Sequence, residues 1–157
     1  MGNVLMLYAS MTGNTEAVAE IIRDAVEKHG HRVVTKTFEM DPVDAAELAE
    51  YDGLLVGTYS EDDGALPFEV EDFYEELDEV DIDGLPAGVF GSGDFVYDTF
   101  GGAANTMGDR LAEKQAKLVP EWLVVDLYPD EEDADRCRHF ADRFCKMMEN
   151  NRRREMD

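Results

Sequence analysis

A short polar segment near the amino terminus offers the hydrogen-bond donors that a phosphate group requires. It runs from Ser10 to Thr15 and contains three hydroxyls, an amide side chain and Gly13, which allows close approach of the backbone. Hydroxyls and amides donate without adding charge, and the start of a helix has free N–H groups and the positive end of a dipole. The segment is neither a Walker A loop nor G-x-G-x-x-G. Its composition therefore predicts a phosphate site, and the alternative is an ordinary N-cap formed by Ser or Thr.

Apolar strands and amphipathic helices alternate around this segment. Short apolar runs, typical of strands buried on both faces, predict strands at 4–8, 32–38, 53–57, 87–90 and 123–125. Apolar residues at helical spacing predict helices at 17–26, 43–50, 70–77, 104–111 and 137–148.

This alternation predicts an α/β fold, a three-layer doubly wound sheet of five parallel strands with helices on both faces. Such sheets bind ligands outside the carboxyl ends of the strands, where the strand order reverses. The expected site is therefore made by the loops 9–15, 58–66 and 91–100. We assign residues 1–149 to this domain and expect 150–157, which has three Arg residues and no apolar stripe, to form a frayed polar tail.

The charge of the chain excludes several classes of partner. The 157 residues include 14 Lys plus Arg and 37 Asp plus Glu, which gives a formal net charge of −23. Nucleic acids and anionic membranes would be repelled, and no apolar run approaches the ~20 residues that span a bilayer. The amino-terminal residues do not resemble a signal peptide. We expect a cytoplasmic monomer that binds neither nucleic acid nor membrane.

Cysteines and histidines give no pattern of a metal or catalytic site. Cys137 and Cys145 are eight residues apart on a predicted helix, so about 12 Å separates them along the axis, which is too far for a disulfide. We interpret them as buried thiols. His29, His31 and His139 have no metal-ligand spacing. The sequence therefore predicts no metal ligands and no catalytic residues.

Three segments together resemble a known family. Ser10–Glu16 after an apolar strand is similar to the signature of flavodoxins, which holds the phosphate of FMN. Gly57–Pro67 is similar to the second flavin loop of that family, and Phe90–Asp94 with Tyr97 is similar to the third. The resemblance covers about residues 3–148 and implies the strand order 2-1-3-4-5, for which flavodoxin is itself the standard example. It indicates the short-chain type, because nothing large interrupts the fifth strand.

The resemblance implies an FMN site built from all three loops. Tyr97 matches the outer aromatic that stacks on the flavin ring, an interaction that contributes about 0.5–1.5 kcal/mol beyond burial. Asp94 and the loop amides would lie along the pyrimidine side of the ring. The implied cofactor-binding residues are Ser10, Met11, Thr12, Gly13, Asn14, Thr15, Thr58, Tyr59, Ser60, Glu61, Asp62, Ser92, Gly93, Asp94, Tyr97 and Asp98.

The second loop departs from the family pattern. Many relatives have Trp-Gly-Asp-Gly where this chain has Glu-Asp-Asp-Gly at 61–64, and its single tryptophan, Trp122, lies near the fifth strand. Asp62 replaces the glycine beside the flavin N5, and aspartate adopts the required backbone torsions less easily than glycine. We expect FMN to bind more weakly than in relatives that carry the tryptophan.

The resemblance implies an electron carrier rather than an enzyme. Non-covalently bound FMN would accept electrons from one redox protein and pass them singly to another. Residues 37–109 contain 21 Asp plus Glu and no Lys or Arg. These carboxylates disfavour added negative charge on the flavin, which predicts a low potential, and they favour redox partners with basic docking patches.

Two other functions remain open. One is a flavodoxin-like activator of ribonucleotide reductase, and the other is a non-redox binding module whose flavin site has decayed.

The composition of the chain, with nine Arg, five Lys and many acidic residues, resembles that of proteins from salt-loving organisms, in which salt screens an acidic surface. We therefore expect a halophilic host.

Overall fold

The computed structural model describes residues 2–60, 65–93 and 102–156, with side chains through Asn151. The strands of this part of the chain are β1 (Asn3–Tyr8), β2 (Arg32–Thr37), β3 (Gly53–Tyr59), β4 (Pro86–Gly93), β5 (Lys117–Leu118) and β6 (Leu123–Asp126). The α-helices are α1 (Asn14–Lys28), α2 (Phe68–Glu76), α3 (Gly102–Glu113) and α4 (Glu131–Met156). Short 3₁₀ helices cover Ala45–Glu50 and Leu77–Glu79.

The parallel sheet has the predicted order. Its strands lie in the order β2-β1-β3-β4-β5, and β6 also pairs with β4. Since β1 lies between β2 and β3, the strand order reverses beside β1, and the loops after β1, β3 and β4 leave the same edge of the sheet. The doubly wound α/β fold predicted from the sequence is confirmed.

The fifth strand is divided into two pieces, which differs from the single strand predicted. Pro86 pairs with Lys117 and Phe90 pairs with Leu123, so β5 and β6 occupy successive lengths of the same side of β4. Between them Glu121 has a φ of 64°, a left-handed conformation that breaks an extended strand. A two-residue strand has no periodicity, so the sequence pattern could not reveal β5.

Alternate residues of the central strands face two separate apolar cores. Val4 and Met6 of β1 belong to the core under α1 and α4, whereas Leu5 and Leu7 belong to the core under α2 and α3. This follows from the two-residue period of a strand. Apolar side chains at successive positions are thus all buried, which explains why the strands appear in the sequence as continuous apolar runs.

Helix α4 contains the two cysteines and continues beyond the predicted domain boundary. Cys137 and Cys145 are buried free thiols, and burial raises their pKa to about 11 and about 12. The backbone of 150–156 is helical, so the expectation of a frayed tail was wrong. Arg, Glu and Met are good helix formers, and cations near a helix carboxyl end interact favourably with its dipole. None of the helices in the described residues is long and apolar enough to span a membrane.

Close packing of α4 against the sheet depends on Phe144. Its side chain is fully buried, and a Cβ added to Gly53 of β3 would lie 2.6 Å from the tip of its ring. Only a glycine at this position of β3 lets the ring reach the strand. The contact between α4 and the sheet therefore requires both the Phe144 ring and a glycine at position 53.

We expect Phe144→Ala to lower the free energy of unfolding by about 3–5 kcal/mol, because it removes a buried ring and leaves a cavity. Guanidinium chloride unfolding followed by circular dichroism measures the change. Phe68→Ala is the matched control, because the Phe68 side chain is 83% exposed. Equal effects of the two substitutions would contradict this role of Phe144.

Candidate functional site

The turn between β1 and α1 has a conformation that requires glycine. Gly13 has a φ of 90° and immediately precedes the helix. A Cβ added to Gly13 would meet nothing within 4 Å, so the requirement is for backbone torsion and not for space. The Gly13 carbonyl accepts the first helical hydrogen bond, from Ala17 N at 3.0 Å. The turn therefore leads directly into the amino end of α1.

Two backbone donors at this end of α1 have no acceptor among the described residues. The first N–H groups of a helix have no intrahelical partner. The Ser10 hydroxyl accepts two of them, from Gly13 at 3.1 Å and Glu16 at 3.3 Å. The N–H groups of Asn14 and Thr15 are left for an external acceptor. Ser10 thus caps the helix, as the alternative interpretation expects, and the phosphate site stays a prediction.

A buried hydrogen bond joins this turn to the end of β4. The hydroxyls of Thr15 and Ser92 lie 2.6 Å apart, and both residues are almost completely buried. Thr15 is in the first turn of α1 and Ser92 is near the end of β4. The first and third predicted loops therefore begin from groups that are fixed relative to each other.

The second predicted loop is also anchored at its start. The Thr58 hydroxyl donates to the Tyr59 carbonyl at 2.7 Å, and the Tyr59 hydroxyl bonds the Glu69 carboxylate at 2.7 Å. The Ser60 hydroxyl accepts from the N–H of Ala103, at the start of α3, at 2.9 Å. These bonds tie the end of β3 to the amino ends of α2 and α3.

The structure brings together most of the residues predicted for the site. Met11 and Thr12 are exposed at the mouth of the turn, Asn14 is half-buried beside them, and Gly93 ends β4. Glu61 and Asp62 of the second loop, with Asp94, Tyr97 and Asp98 of the third, lie outside the described residues.

Carboxylates surround the turn. Glu39 Oε1 accepts a hydrogen bond from Ser10 N at 2.7 Å. Tyr8, at the end of β1, has a raised pKa because of burial and because the carboxylates of Glu16, Glu20 and Glu39 lie nearby. An anion bound here would be held by neutral donors within a negative field. Glu39 was not predicted, and the only signal for it is that β1 and β2 end at the same sheet edge.

Metal chemistry has no support in the described residues. No group of three or more His, Cys, Asp or Glu side chains in that part of the chain could hold a metal ion. The donors at the turn, backbone N–H groups and hydroxyls, are those that bind a phosphate.

Comparison with known proteins agrees with this arrangement. The flavodoxin family model matches residues 6–140. "Probable flavodoxin 1" of Bacillus subtilis (strain 168) is 41% identical over 145 residues, which is 92% of this chain and 90% of that protein. "Probable flavodoxin 2" of the same strain is 35% identical and covers 93% of this chain and 96% of its own length.

Solved structures agree as well. The crystal structure of oxidised Flavodoxin 2 from Bacillus cereus is 43% identical and has a TM-score of 0.86. It covers 92% of this chain and 98% of its own. The sheet of order 2-1-3-4-5, the family match and these similarities lead to one conclusion: this chain belongs to the flavodoxin family of FMN-dependent electron carriers.

Proposed function

We propose that this flavodoxin is a low-potential carrier that passes electrons between redox proteins with basic docking patches. Its family makes it an electron carrier on FMN and not an enzyme. The observation that carries the proposal is the pair of N–H groups, of Asn14 and Thr15, that have no acceptor among the described residues and lie at the sheet edge where all three loops begin.

The residues at that edge fit FMN. We assign the phosphate to the N–H groups of Asn14 and Thr15 and to the Thr12 hydroxyl, all of which donate without adding charge. When bound, FMN supplies the one-electron chemistry that the protein side chains lack. The segments 58–62, 92–94 and 97–98 would enclose the ring.

The low potential would come from carboxylates. Reduction adds negative charge to the flavin, and nearby acidic groups disfavour it. Glu69 lies next to the second loop through its bond to Tyr59, and Glu39 lies next to the turn. Both belong to the stretch 37–109, which has no Lys or Arg. The same acidic surface would steer basic partners toward the cofactor.

The remaining parts of the proposal concern cofactor affinity and cellular setting. The sequence Glu-Asp-Asp-Gly at 61–64 favours weaker FMN binding than in tryptophan-bearing relatives. A net charge of −23 favours a monomer and a salt-loving host, and we also propose a cytoplasmic location. A decayed flavin site has less support, because the turn keeps both its glycine conformation and its free donors. No observation favours an activator of ribonucleotide reductase.

We expect Thr12→Val to raise the dissociation constant of FMN about 10- to 100-fold, because a hydrogen bond to a charged group contributes about 1.5–3 kcal/mol. Quenching of flavin fluorescence measures the affinity. Riboflavin, which lacks the phosphate, should bind the variant and the wild type equally.

Thr35→Val is the matched control for that substitution, because Thr35 is exposed on the edge strand β2. Its FMN affinity should equal that of the wild type. An equal loss of riboflavin and FMN affinity in Thr12→Val would show that Thr12 does not hold the phosphate.

We expect KCl to raise both the melting temperature and the FMN affinity. Between about 0.1 and 1 M salt the Debye length falls from about 10 to 3 Å, so repulsion among carboxylates and between them and the phosphate is screened. Circular dichroism melts and flavin fluorescence titrations measure the two effects. The affinity for riboflavin, which has no phosphate charge, should rise less than that for FMN. Equal melting temperatures in dilute and molar KCl would count against an electrostatic origin.

A further inference from the structure

A groove lies between α1 and the segment that joins β6 to α4. It is beside the cofactor edge, the edge of the sheet where the loops after β1, β3 and β4 begin. Its volume is about 450 Å³. No Lys or Arg is among the described residues that line it. Its lining combines apolar side chains, among them Ile21, Pro129 and Ala134, with carboxylates.

The segment that forms one wall of the groove exposes two large apolar side chains. Leu127 is 49% exposed and Tyr128 is 69% exposed. Leu127 also has a φ of 57°, a left-handed conformation that residues other than glycine rarely adopt. Backbone strain of this kind tends to occur at functional sites. The structure thus holds an exposed leucine in an unfavourable conformation.

A backbone hydrogen bond connects this segment to the third flavin loop. The N–H of Leu127 donates to the carbonyl of Gly93 at 2.8 Å. Gly93 is the last residue of β4 and the first of the loop residues 93–98 assigned to the cofactor. The segment that forms the groove wall is therefore hydrogen-bonded to the residue at which the predicted third flavin loop begins.

Exposed apolar side chains concentrate at this edge of the sheet. The large hydrophobic residues exposed in the described part of the chain are Met11, Met40, Phe68, Leu127 and Tyr128. Each lies in a segment that follows the carboxyl end of a strand or begins a helix there. Of these five, Leu127 and Tyr128 are neighbours in the segment that borders the groove. Exposed apolar side chains rimmed by polar groups mark an interaction surface.

We infer that the groove, with Tyr128 at its wall, is the docking surface for an electron-transfer partner of basic character. The partner's contact segment would carry Lys or Arg side chains around a protruding apolar side chain. Charge complementarity supports this occupant, since the groove has four carboxylates, from Glu20, Asp24, Asp130 and Glu131, and an acidic segment would be repelled. The inference rests on the proposed function, because it names where the electron partner binds.

The two kinds of contact respond differently to salt. Steering by carboxylates is screened in molar salt, where the Debye length is about 3 Å. Apolar contact is short-ranged and is not screened. At high salt, docking at the groove therefore depends mainly on its apolar surface.

Ferricytochrome c, a basic haem protein, is a suitable probe. Anaerobically reduced FMN in the protein gives one electron to each ferric haem, which becomes ferrous. We expect Tyr128→Ser to lower the second-order rate constant by about fivefold or more at about 1 M KCl, and by less at about 0.1 M. Stopped-flow absorbance of the haem measures the rate. The dissociation constant of FMN should equal that of the wild type.

Met40→Ser is the matched control. Met40 is 83% exposed and follows β2, at the opposite end of the sheet from β6. It should change the rate by less than about twofold, since exposed apolar residues outside a contact contribute little. Ala134→Arg keeps Tyr128 and fills the groove with a cation, so it should lower the rate as Tyr128→Ser does.

Three results would overturn the inference alone. Two are equal rates for Tyr128→Ser and Met40→Ser, and weaker FMN binding by Tyr128→Ser. The third is a wild-type protein that sediments as a dimer and a Tyr128→Ser variant that sediments as a monomer, because the groove would then be a contact between two copies of the chain. A wild-type protein that binds no FMN, or whose reduced form passes no electron to the cytochrome, would instead refute the proposed function, and the inference with it.

Discussion

The structure depends on the parallel pairing of β1 with β3 and of β3 with β4. This pairing places the loops that follow the three strands at one edge of the sheet. Because both faces of these strands are buried, their register cannot slip without moving apolar side chains between the two cores. The hydrogen bond between Thr15 and Ser92 is possible only in that register. The packing of the core therefore fixes the relative positions of the residues at which the three loops begin.

Two opposed electrostatic effects act at the edge of the sheet where the three loops begin. The amino end of α1 offers donors and a positive dipole end to an anion, while Glu16, Glu20 and Glu39 surround the same turn with negative charge. In the proposed arrangement the N–H groups would contact the phosphate directly, and the carboxylates would act on it from farther away. Under the proposed function, the same carboxylates would weaken cofactor binding and favour release of electrons from the reduced flavin.

Much of this arrangement could be predicted from the sequence, and the missing parts have physical reasons. Val4–Leu7 and Gly53–Val56 are continuous apolar runs because both faces of each strand are buried, so the strands and their order were predictable. The turn at Ser10–Thr15 was predictable because its chemistry is local. Local patterns could not reveal contacts between distant segments, such as Glu39 with Ser10 or Leu127 with Gly93. The β5 strand was missed because two residues form no pattern, and the end of α4 because its polar composition resembles that of a tail.

Burial of the two thiols of α4 protects them from oxidation. A reduced flavin that meets oxygen generates peroxide, and peroxide attacks thiolates far faster than thiols. With pKa values of about 11 and about 12, Cys137 and Cys145 stay protonated at neutral pH inside the core. Met11 and Met40, in contrast, are largely exposed. Oxidation of these two methionines would leave the packing of the helices on the sheet intact, because neither belongs to a buried core.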